Sequence, residues 1–80
     1  GGTLHRLKIS DWKEANEANK LATCGDIMAV VNNRVSMSEL KRRAEELKTC
    51  IHTSTNGLSS TDGYDVADVA ALCIKLMGYQ

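Results

Sequence analysis

Five side chains of this 80-residue chain have the chemistry to ligate a metal or to act as nucleophile and base: Cys24, Cys50, Cys73, His5 and His52. Three cysteines and a histidine could make up a zinc set. Structural zinc sites, however, place their cysteines in closely spaced pairs, and no two cysteines here are near neighbours. No metal site and no cofactor is expected. A cysteine nucleophile needs a base or a helix N-terminus to lower its pKa. Cys50 and His52, two residues apart on a helix, point about 200° from each other, so His52 is badly placed to activate Cys50. Ser59, Ser60, Thr61 and Asp62 include the residue types of a hydrolytic triad without a nucleophile elbow, and runs of this kind form turns. No phosphate-binding glycine loop, HExxH or EF-hand pattern is present. The chain therefore reads as a non-enzyme. Its odd, widely spaced cysteines read as reduced thiols that pack as small hydrophobes, and not as a disulfide framework.

The one basic cluster is Lys41-Arg42-Arg43, with Arg34 upstream. These four would contact phosphates if the protein bound nucleic acid through the helix expected at 36–55. Against that reading, Glu39, Glu45 and Glu46 interleave with the basic residues, while Trp12, Tyr64 and Tyr79 lie in other segments, so a solvated helix face is favoured. Ten basic side chains balance ten acidic ones, which leaves no overall field to steer the chain toward nucleic acid or an anionic membrane. The charge is nonetheless unevenly spread. Residues 34–52 hold five basic against three acidic side chains, and residues 53–80 hold one against three. Such complementary halves suit internal packing or a two-fold dimer. No apolar run approaches the roughly 18 residues of a membrane span, and no signal peptide is evident. A soluble, cytoplasmic protein with no evident small-molecule substrate is expected.

The elements that must position these residues are helical. The chain has no proline, no phenylalanine and an ordinary apolar content, so helix breakers and β-favouring aromatics are both scarce. Residues 1–9 are expected to be an N-terminal arm, with Gly1-Gly2 a cloning remnant, and residues 10–80 a single domain. A first helix is predicted from an N-cap at Ser10, through Trp12, Ala15, Ala18, Leu21 and Ala22, to Asn32-Asn33, bent or split near Gly25. A second begins at the capping box Ser36-Met37-Ser38-Glu39 and stops at Asn56-Gly57. The third runs from an Asp65 cap, with Tyr64 stapled to Val69, to a left-handed Gly78 that lays Tyr79 back on Ile74. A small all-α three-helix bundle follows, with its C-terminal helix at the centre.

That last helix carries the functional expectation. Val66, Val69, Ala70, Cys73, Leu76 and Met77 fill one face and Leu72 and Ile74 flank it, leaving Asp68, Ala71 and Lys75 as the wet stripe. A domain of this size buries only roughly 60% of its unfolded surface, which is little cover for so apolar a helix. The excess points to a protein-interaction or regulatory module, meeting a protein partner or a second copy through Met28, Leu72, Ile74, Met77 and Tyr79. Trp12 is either a partner anchor or the cap on one end of the core. Two alternatives are nucleic-acid binding through helix 36–55 and a small stoichiometric inhibitor of the kind encoded by phages and mobile elements.

Overall fold

The computed structural model describes residues 1–80 and contains four α-helices: α1, Ile9–Glu14; α2, Glu17–Val31; α3, Met37–Thr55; and α4, Val66–Met77. The all-α bundle is the class expected. The count is four because the first helix breaks at Ala15-Asn16 and not at Gly25. Ala15 and Asn16 are both extended, and the Asn16 side chain accepts the Asn19 N–H at 2.7 Å, which starts α2 afresh. An asparagine that can capture a nearby backbone N–H favours a cap over a helix interior. Gly25 then sits inside an uninterrupted α2. At the front of α1 the cap is Lys8, not Ser10, and its N–H donates to the Asp11 carboxylate at 3.0 Å.

The other boundaries follow the sequence. Ser36 Oγ accepts the Glu39 N–H and opens α3, while Asn56 and a left-handed Gly57 close it. At the end of α4, the N–H groups of Gly78 and Tyr79 donate to the carbonyls of Lys75 and Ile74. Both bonds of a Schellman motif are thereby made. The start of α4 differs in detail. Tyr64 is exposed, and Asp65 caps without a side-chain bond to the helix, because its carboxylate takes the Lys8 ammonium at 2.6 Å.

One core joins the four helices. Ile9 and Trp12 of α1, Cys24 and Met28 of α2, Leu47 and Ile51 of α3, and Val66, Val69, Cys73 and Ile74 of α4 are all buried. Each large aliphatic among them contributes roughly 1.5–3 kcal/mol of burial. The segment before α1 is packed too. Leu4 is buried, and the N–H groups of Gly2, Thr3 and Leu4 donate to side chains of Asp26, Asn19 and Thr23 on α2. A Cβ on Gly2 would collide with the Thr23 backbone, so this approach requires a glycine. The connection into α4 is held by α1: Lys13 reaches Asp62 and the Leu58 carbonyl, and Ile9 and Ser10 donate to the carbonyls of Tyr64 and Asp62.

Two expectations are corrected here. The C-terminal helix is not central, since Ala67, Asp68, Ala71, Leu72, Lys75 and Leu76 all face outward and only the opposite side is buried. The cysteines are not all reduced. Cys50 on α3 and Cys73 on α4 form a disulfide across a Cα separation of 6.0 Å, and only Cys24 is free. Wide spacing in sequence gave no hint of the pair, because the antiparallel return of α4 along α3 is what brings them together.

Candidate functional site

The outward face of α4 and the C-terminal half of α2 enclose a surface groove of about 770 Å³. Ala67 and Ala71 supply small side chains on the α4 side, Ile27 and Val31 come from α2, and Leu72 and Ile74 complete the apolar lining. Asp68 and Lys75 are its charged groups. Leu72 is 63% exposed and Leu76, one turn on, 82% exposed; Val30, next to Val31, is 81% exposed. Residues four apart lie on the same side of a helix, so Leu72 and Leu76 form one ridge. Scattered apolar residues are normal on a surface, whereas a ridge beside an apolar groove is a contiguous patch.

The six side chains expected to meet a partner are thus divided. Leu72 is on the surface, and Met77 and Tyr79 are half-buried. Met28 and Trp12 are enclosed, at 0% and 1% exposure, and Ile74 is buried at the edge of the groove. Met28 faces the core because the restart at Asn16 resets the phase of α2. Trp12 takes the core-capping role, its ring packed under the Lys20 ammonium at 5.6 Å and its indole N–H without a hydrogen-bond partner. Leu76, Val30 and Val31 were missed. Helical phase alone assigned Leu76 to the interior, and only the position of α2 beside α4 reveals the two valines.

Tyr79 is a tail anchor. Its ring lies 4.2 Å from the Arg43 guanidinium, its hydroxyl donates to Glu46 at 2.7 Å, and its carbonyl accepts from Asn32 at 2.7 Å. The same network occupies the basic cluster. Arg42 donates to Glu39 and Glu46, each at 2.6 Å, and Arg43 to Glu39 at 2.7 Å and Asn32 at 2.8 Å. Hydrogen bonds from Arg42 and then Arg43 hold the Glu39 carboxyl down at about 2. Lys41 and Arg34 form no salt bridge, so the four basic residues of the nucleic-acid alternative do not form one free patch.

A second groove, of about 540 Å³, lies between α2 and α3 along Leu21, Gly25, Ala29, Leu40 and Ala44, with the exposed Met37 beside it. No three His, Cys, Asp or Glu side chains are grouped to hold a metal ion. Burial pushes the Cys24 thiol up to about 12, which keeps it protonated and a poor nucleophile. His52 is exposed, and His5 engages Asp26 at 3.0 Å. No helix is long and apolar enough to cross a membrane.

Compared with protein-family models, with curated proteins and with solved structures, the chain matches none.

Proposed function

We propose that this protein is a non-enzymatic binding module that meets a protein surface through the outward face of α4 and the adjoining groove on α2. The observation that carries the reading is the Leu72-Leu76 ridge beside Val31, apolar surface that the domain leaves uncovered. Interfaces of this kind have an apolar centre and a polar rim, and here Asp68 and Lys75 accompany the aliphatic residues. The pairing of Arg42 and Arg43 with carboxylates weakens the nucleic-acid alternative, because phosphate contacts would have to displace bonds already made. A bonded Cys50-Cys73 pair fits an oxidising compartment better than the cytoplasm first expected.

Site-specific photo-crosslinking tests the proposal. A photoreactive residue at Leu72 should give discrete adducts, with another protein or with a second copy, in the extract of a cell that makes the protein. The same residue at the exposed Thr53 on α3 serves as control. Absence of any adduct specific to position 72 would overturn the proposal.

A further inference from the structure

The outward face of α4 has a symmetry that names its partner. Asp68 and Lys75 are seven residues apart, so they lie within about 20° of each other around the helix and about 10 Å apart along it. Both line the groove, and neither forms an ion pair within the chain. Midway between them are Ala71 and Leu72. A two-fold axis passing beside the bond joining those two residues converts α4 into an antiparallel neighbour. Each Asp68 is then level with Lys75 of the second copy, on both sides of the axis.

Building on the reading of this face as a protein-binding surface, we infer that its occupant is a second copy of the same chain, docked with α4 antiparallel to α4. Leu72 meets its own counterpart near the axis. Ala67 and Ala71 are small enough to let the helix backbones approach at the short end of the usual 8–10 Å. A two-fold contact must be self-complementary, and opposite charges at equal distances from the axis satisfy that condition, whereas the parallel arrangement would set Asp68 beside Asp68. The contact is modest in extent. A twelve-residue helix is about 18 Å long and roughly 10–12 Å wide with its side chains, so the strip it presents is on the order of 200 Å², well short of the ~800 Å² per partner of a standard interface. The dimer is therefore concentration-dependent.

Sedimentation velocity of the disulfide-bonded protein, from micromolar to millimolar concentration, tests this with Asp68→Lys, Lys75→Asp and the double reversal. The wild type should dimerise, each single reversal should weaken the dimer roughly tenfold or more by setting like charges together, and the double reversal should restore it. Thermal melts keep folding separate from association, because Asp68 and Lys75 lie in the first and last turns of α4 and reversing either opposes the helix dipole; dimerisation is compared at temperatures where every variant is folded. A wild type that stays monomeric overturns the inference. So do single reversals that dimerise normally, or a double reversal that fails to recover. In the crosslinking experiment, adducts at position 72 that contain only a foreign protein would sink the self-association while leaving the binding function standing.

Discussion

Arg43 of α3 lays its guanidinium 4.2 Å from the ring centre of Tyr79, and with that contact the residue beyond α4 is fastened to the helix that α4 packs against. The Schellman turn at Gly78 aims Tyr79 there, and Glu46 and Asn32 take up its hydroxyl and carbonyl. A double-mutant cycle with Arg43→Ala and Tyr79→Ala should give a coupling of about 0.5–1 kcal/mol in urea unfolding, the range of a partly exposed cation-aromatic pair. Additive effects would mean that the ring contact with Arg43 contributes nothing and that the tail is held by its bonds to Glu46 and Asn32.

Cys50 and Cys73 are 23 residues apart, and closing a loop of that length stabilises a fold by roughly 3 kcal/mol, mainly by restricting the unfolded chain. The Cys50→Ser/Cys73→Ser variant should lower the urea midpoint accordingly, and a thiol reductant should do the same to the wild type. Thiol titration provides an independent count. The oxidised protein should show no reactive thiol when native, since Cys24 is buried, and one when denatured. Three thiols in the denatured, unreduced protein would mean that the pair is open in solution.

How far the sequence discloses the fold depends on whether a signal is local. The Ser36 cap, the Asn56-Gly57 stop and the Gly78 terminus were legible because each is settled by a side chain or φ angle within three residues of the boundary. Asn16 was not, although its mechanism is just as local, because Ala15 and Ala18 continue a helical apolar period across the break. The position of α4 at the edge of the bundle was out of reach for a different reason. Which face of an evenly apolar helix is buried depends on where α2 and α3 lie, and the disulfide is a product of that same packing. Of the site, Leu72 was found from its position on the helical wheel, while the groove wall at Val31 is a tertiary fact.

The break at Asn16 and the continuity at Gly25 together predict opposite responses to alanine. Asn16→Ala removes the oxygen that accepts the Asn19 N–H and should cost about 1 kcal/mol, between the extremes seen for N-caps. Gly25→Ala should stabilise by about 0.5–1 kcal/mol, since the position is helical and a new Cβ meets nothing within 4 Å. Chemical denaturation reads both, and a destabilising Gly25→Ala would show that α2 bends there after all.

Acid should loosen the α3 network first. Glu39 ordinarily titrates near 4.5 and is held at about 2 by hydrogen bonds from Arg42 and then Arg43. Its folded pKa is depressed, so its contribution to stability is complete above the unfolded value and is lost as pH falls from about 4.5 through about 2. Asp65, lowered chiefly by its hydrogen bond from Lys8, and Asp26, lowered chiefly by the Gly2 N–H, act in the same direction. Urea midpoints measured across that window should fall with pH in the wild type. Glu39→Gln should start lower at neutral pH and fall less steeply, because one of the linked protons has been removed. Equal slopes for wild type and Glu39→Gln would mean that the arginine pairs seen on α3 do not persist in water.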